Sequence, residues 1–274
     1  MTPTRTPTSE DFTLLLPHLT LSLVPASPPE STTAILLLFH GLGDAEPAFA
    51  SFARSLALPG VLAISVRGTS PLPPALLGLP LDAGPTNHFH WGDDLTLGSD
   101  GELDQDPGFE KAMGQVLGRL IGEVLIGKCG WETQDILLFG YGQGGSLALG
   151  LASRLRLGVV EGEGRVTEAK EGGGEEAALG KGPKAFKGVV SIGGALPASI
   201  IPSISAREKS RTPVLVCHGS KSEAIDEVAT DVLKHEFADV KMVEWKRPDD
   251  GPPRNSEEVL PMMEFFSERL RSVF

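Results

Sequence analysis

The stretch LLFGYGQGGSLAL, Leu137 to Leu149, decides how the rest of the chain is read. Its first residues are apolar and of strand length, its centre holds Gly140, Gly142, Gly144 and Gly145, and its end has the spacing of a helix. A strand that turns into a helix this abruptly needs small residues around the turn, since Cβ atoms there would meet the neighbouring backbone. The apex of the turn is Gly142, which carries no side chain.

Working outward, similar short apolar runs recur: AILLLF (34–39), VLAISV (61–66), DILLFG (135–140), GVVSIGG (188–194), PVLVCHG (213–219) and VKMVEW (240–245). Runs apolar on both faces suit the central strands of a parallel sheet covered by helices. The segments between them supply those helices. The clearest is Pro107 to Lys128, where Phe109, Met113, Val116, Leu120 and Val124 recur every three or four residues, with Asp106 as the expected cap and Gly130 past the end. Others are expected at Pro47 to Leu58, Gly144 to Leu157, Glu223 to Phe237 and Glu257 to Arg271, the last tolerating Pro261 because it lies near the start. Strand followed by helix, repeated, means an open, doubly wound, mostly parallel α/β sheet with helices on both faces.

HLTLSLVPAS (18–27) alternates apolar and polar residues and reads as an antiparallel edge strand. Residues 1–18 read as an N-terminal tail, and residues 19–274 as one domain. Two segments break the rhythm. Residues 158–187 are rich in glycine and charge and read as a flexible surface insertion. Gly68 to Asp106 lacks periodicity but holds prolines, His88, Phe89, His90 and Trp91, as an ordered loop beside a site would.

Composition narrows the function. A net charge of -12, from 24 basic and 36 acidic residues, comes with no basic cluster, which argues against nucleic acid or an anionic membrane as partner. No apolar run reaches the roughly 18 residues of a membrane span. The start MTPTRTPTSEDF lacks the apolar core of a secretory signal, so a cytoplasmic protein is expected. Cys129 and Cys217 fall in or beside apolar segments and read as reduced, buried thiols.

The glycine turn GYGQGG (140–145) resembles the G-F-S-Q-G-G motif of the acyl-protein thioesterase group in the phospholipase/carboxylesterase family of α/β-hydrolases, and HGLGD (40–44) resembles that family's H-G-x-G-D motif. FKGVVSIGGALP (186–197) and TPVLVCHGSKSEAI (212–225) extend the likeness, which covers nearly everything from Thr20 to Leu270 apart from the insertion. It implies the α/β-hydrolase fold. Carried over residue by residue, it also implies a serine nucleophile at the position of Gly142, an acid at that of Ser222 and a histidine at that of Pro252 or Pro253. None of the three side chains is there, and no histidine follows His235.

The resemblance further implies an oxyanion hole made from the amides of Leu42 and Gln143, with Gly41 and Gly43 shaping its loop. Such a corner can hold a carbonyl oxygen or an anion without any nucleophile. His40, Asp44 and His218 then read as structural. Ser146, a turn into the helix, reads as packing. In NHFHWGDDL (87–95), His88, His90, Asp93 and Asp94 could form a base or a metal site. The competing reading has Trp91 and one aspartate closing the loop onto the sheet. No metal or cofactor is expected.

Two functions stay open. One is a pseudo-hydrolase that binds a small acyl or ester-like ligand, or a protein partner. The other is a carboxylesterase or thioesterase with a relocated mechanism using His88, His90 or Asp94 with water. Losing serine or histidine from a triad costs on the order of a million-fold in turnover, which favours the first.

Overall fold

The computed structural model describes residues 4–16, 18–80, 84, 86–95, 104, 106–155, 185–201 and 208–271. At its centre is a sheet of seven strands: β1 (Leu21–Val24), β2 (Ala34–Phe39), β3 (Val61–Val66), β6 (Ile136–Tyr141), β7 (Gly188–Ile192), β8 (Val214–Gly219) and β9 (Val240–Trp245). Their order is β1-β3-β2-β6-β7-β8-β9, with only β1 antiparallel to its neighbour. The alternating stretch thus forms one edge, five of the apolar runs form the middle, as their two-sided burial requires, and VKMVEW, expected in the middle, forms the other edge, with Lys241 and Glu244 exposed. A two-stranded ribbon, β4 (Ser70–Pro71) with β5 (Phe89–His90), stands beside the sheet.

Alternate residues of each central strand feed different cores. Ile35, Leu37 and Phe39 of β2 face one helix layer, Leu36 and Leu38 the other. The covering helices are α1 (Glu46–Leu56), α2 (Glu110–Met113, continuing as a π-type helix over Gly114–Lys128), α3 (Gln143–Leu155), α4 (Glu227–Glu236) and α5 (Ser256–Leu270). The π-type stretch departs from the expected α-helix. Its buried side chains fall four apart, Met113, Leu117, Ile121 and Leu125 beside Val116, Leu120 and Val124, so a helix wound wider than 3.6 residues per turn keeps them on one face.

Three expectations need correction. Asp106 does not cap α2. It accepts hydrogen bonds from the Ser199 amide and hydroxyl, while the Asp93 carboxylate takes the amides of Glu110 and Lys111 at 2.8 and 3.0 Å. Gly108, with φ 72°, carries the chain past Asp93 into the helix. Within the expected N-terminal tail, the described residues 4–16 pack on the domain: Ser9–Leu15 wind as a 3-10 helix whose Phe12 and Leu15 are buried in the core, and Trp131 Nε1 donates to Arg5 O at 2.9 Å. Apolar content in DFTLLL outweighed the polar start. Finally, residues 156–184, most of the expected insertion, lie outside the described residues, but its last part is core: Phe186 is buried and its amide donates to Thr212 Oγ1.

Strand order reverses between β2 and β6. The chain runs from β2 to β3 on one side and then returns to β6 on the other, leaving a crevice at the carboxyl ends of the two strands. In open α/β sheets that is where ligands bind. HGLGD follows β2 and GYGQGG closes β6, so both motifs meet at this crevice.

Candidate functional site

The turn between β6 and α3 is held by packing that admits no substitution at three of its glycines. A Cβ on Gly140 would stand 2.1 Å from Gly144 O, one on Gly144 would stand 2.3 Å from Phe39 O, and one on Gly145 would stand 2.4 Å from Ser191 Oγ. Gly142 differs. Its φ of 50° is left-handed, and a Cβ there would meet nothing within 4 Å. The apex therefore points into open space. Its backbone is fixed on both sides, by Gly142 N donating to Ile192 O at 2.8 Å and by Gly142 O accepting from Gly145 N at 2.8 Å.

Opposite the apex stands the loop after β2. Gly41 lies so close to the Tyr141 ring that a Cβ would be 2.7 Å from Cδ1. Gly43, φ 79°, turns the loop, and its amide donates to Phe89 O at 2.9 Å. Among the described residues the amides of Leu42 and Gln143 donate to nothing, one on each side of the crevice. The Gln143 side chain is occupied: its Oε1 accepts from Trp91 N at 2.7 Å and ties the start of α3 to the loop beyond β5.

Of the histidines of this region, His40 is the one built into the scaffold on both ring nitrogens. His40 is fully buried, with Nδ1 2.7 Å from Gly41 O and Nε2 accepting from Gly68 N at 2.8 Å, which fixes the neutral ring with its proton on Nδ1. Burial lowers its pKa below the usual 6.5. Trp91 Nε1 donates to His40 O at 2.8 Å, and its ring packs 5.1 Å from the imidazole. His88 Nδ1 lies 2.6 Å from Gly43 O. His90 is buried, and desolvation, with Lys111 nearby, lowers its pKa also. Asp44 Oδ1 accepts from Ala45 N, the Asp93 carboxylate takes amides at the start of α2, and Asp94 is exposed. No three His, Cys, Asp or Glu side chains gather as a metal site among the described residues. Ser146 is buried under the turn, and burial pushes the Cys217 thiol up to about 12.

Across the crevice lies a pair that the sequence reading did not anticipate. Asp250, on the loop between β9 and α5, receives Gly219 N–H on Oδ1 at 2.7 Å and the Ser222 hydroxyl on Oδ2 at 2.7 Å. Ser222 Oγ in turn accepts from Ile225 N at 3.1 Å, so its proton is directed at the carboxylate. It is Asp250, and neither Pro252 nor Pro253, that meets Ser222. A carboxylate in PDDGPP (248–253) is invisible to a search for histidine, and only the pairing in space marks it out.

Two adjacent glycines measure how near Asp250 is to the apex. A Cβ on Gly193, φ 62°, would stand 2.6 Å from Asp250 Cβ, and one on Gly194 would stand 2.4 Å from Gly142 O. Asp250 and Gly142 thus flank the same two-residue turn. The Tyr141 hydroxyl responds to this setting: burial raises its pKa, and the charges of Asp250, Asp249 and Asp44 add to the effect against Arg247.

Residues 23–164 match the family model for phospholipase/carboxylesterase. An uncharacterized hydrolase of Schizosaccharomyces pombe is 35% identical over 116 residues, 42% of this chain and 44% of that protein. The chain's match spans less than half the length of the curated relatives, 44% and 40% for two of them. Among solved structures, Zea mays acyl-protein thioesterase 2 superposes with a TM-score of 0.63 at 20% identity, covering 92% of this chain and 99% of that one. The Bacillus cereus carboxylesterase gives 0.57 at 15%, covering 96% and 100%. At such identities the likeness establishes the α/β-hydrolase fold.

Proposed function

Because the chain belongs to the phospholipase/carboxylesterase family, we propose that it binds an acyl or ester-like carbonyl at the Gly142 corner and has lost serine-hydrolase chemistry. One observation carries this reading: the turn is packed backbone against backbone at Gly140 and Gly144, while its apex, Gly142, holds no side chain and faces open space. A covalent acyl-enzyme needs a nucleophilic atom at that apex. Glycine supplies none.

The amides of Leu42 and Gln143 are the oxyanion-type donors of this proposal. Both are without acceptors among the described residues, and backbone donors held in place stabilise a carbonyl oxygen at little reorganisation cost. In this reading Ser222 and Asp250 occupy the places of the acid and the histidine. They form a hydrogen-bonded pair that cannot serve as the histidine-centred relay of a triad. Exposed Leu42, Leu76 and Leu79 on the loops after β2 and β4 offer apolar surface for an acyl chain.

Two free, buried cysteines support a reducing, cytoplasmic setting. No helix among the described residues is long and apolar enough to cross a membrane.

The test is calorimetric titration with an alkyl trifluoromethyl ketone, which mimics the ester carbonyl. Saturable binding that disappears in Gly142→Trp is the expected result, because the indole would fill the corner. Absence of binding, or binding indifferent to that substitution, contradicts the proposal.

A further inference from the structure

Asp250 is held far more firmly than a loop carboxylate needs to be. Its loop is wrapped around the Arg247 guanidinium, which reaches Asp249, Gly251 O and Pro252 O, lies 3.2 Å from the buried Glu258 carboxylate and stacks 4.3 Å over the Trp245 ring. Arg254 adds a 2.8 Å contact to Asp249, and its amide donates to Glu258 at 2.7 Å. Gly219 has no room for a side chain, since a Cβ would stand 2.4 Å from Pro248 O. The loop therefore seats directly on the end of β8. The Asp250 carboxylate faces the end of β8, and each of its oxygens, already accepting one hydrogen bond, keeps a further lone pair.

We infer that Asp250 is a general base for a water molecule standing over Gly142, so that the site hydrolyses a bound ester slowly and directly. This rests on the proposed binding of a carbonyl at the Leu42 and Gln143 amides. Three features meet there: the open space above the apex, the two unengaged amides, and a carboxylate packed against the same Gly193–Gly194 turn as the apex. Asp250 takes a proton from the water, and the water oxygen forms the new bond to the carbonyl carbon. The carbonyl π pair moves onto oxygen beside the amides. Collapse of that oxyanion breaks the ester C–O bond, and the leaving alkoxide takes the proton back from Asp250. Products are the acid and the alcohol, and the protein is unchanged. No covalent intermediate arises. Ser222 is a positioning residue, since it touches Asp250 and not the reacting atoms.

General bases contribute roughly 10²–10⁴-fold, so Asp250→Asn is expected to lower kcat for p-nitrophenyl acetate and butyrate by about 100-fold or more. Asparagine keeps an acceptor for Gly219 N–H and so preserves the loop. A normal solvent deuterium isotope effect in the parent should vanish in this variant. Ser222→Ala should lower kcat less, leave KM unchanged and retain the isotope effect, and Ser222→Thr should restore the rate. Parent turnover no faster than buffer, an Asp250→Asn rate equal to the parent's, or an acyl adduct seen by mass spectrometry during turnover would each overturn the assignment. Trifluoromethyl ketone binding, measured on the same samples, separates the two claims. If the ketone binds both parent and Asp250→Asn while their rates do not differ, only the base assignment fails; if it binds neither, the carbonyl-binding reading fails with it.

Discussion

The Asp250 carboxylate accepts the Ser222 hydroxyl at 2.7 Å, joining the β9–α5 loop to the end of β8 directly beside the Gly142 turn. Its placement depends on Arg247, whose side chain is 10% exposed against a Glu258 side chain at 9%. Removing one partner of a buried pair costs about 3–5 kcal/mol, because the other charge is left stranded. Arg247→Met should therefore lose stability on this order in urea titration and abolish any Asp250-dependent turnover. A variant as stable as the parent would show that the loop holds itself.

The glycine turn gives a sharp contrast between neighbouring positions. Gly144→Ala places a Cβ 2.3 Å from the carbonyl of Phe39, backbone against backbone, and should cost about 3 kcal/mol or more. Gly142→Ala meets no atom and bears only the left-handed conformation, about 1–2 kcal/mol. Chemical denaturation of both variants checks the order. Equal losses would mean that the turn is not packed as described.

Stability should fall as pH drops below about 6.5. His40 is neutral in the folded chain, where burial lowers its pKa, and its Nε2 must stay unprotonated to accept from Gly68 N. The unfolded chain takes up a proton near the ordinary 6.5 while the folded chain resists, so the stabilisation is complete above that value and is lost progressively toward the lower folded pKa. His90 contributes in the same direction. Urea midpoints between pH 8 and pH 5 should show the decline, with a shallower slope in His40→Gln. An unchanged slope would place the titration elsewhere.

Deleting residues 1–16 should destabilise the fold rather than trim a tail. Phe12 and Leu15 are 5% and 1% exposed, and burying such side chains is worth about 1.5–3 kcal/mol each. A drop in Tm of several degrees is expected. An unchanged Tm would show that the segment only rests on the surface.

Much of the fold was legible because its signals are local. Five of the six apolar runs, among them Ala34–Phe39 and Val61–Val66, became the central strands within a residue or two, the sixth, Val240–Trp245, became the far edge, and the alternating Leu21–Val24 became the antiparallel edge. Gly140 and Gly144 of GYGQGG announced the turn because close backbone approach leaves no room for a side chain there. What stayed hidden depends on partners distant in sequence. Asp106 stands where sequence places a cap, and only the path through Gly108 brings Asp93, 17 residues before Glu110, to the helix amides instead. Asp250 lies 28 residues from Ser222, and nothing in PDDGPP says which aspartate turns inward. That glycine stands at 142 and that no histidine follows His235 could be read from the sequence. The pairing of Ser222 with Asp250 could not.

The most direct test of the central claim is intact-mass measurement after exposure to a fluorophosphonate probe, which captures activated serines. The parent should remain unmodified, as should Gly142→Ser alone, which lacks an imidazole. The combined variant Gly142→Ser, Ser222→Asp, Asp250→His keeps the 2.7 Å pairing with its partners exchanged and should gain one probe per chain at position 142. A probe adduct on the parent protein at any residue of the crevice would contradict the account.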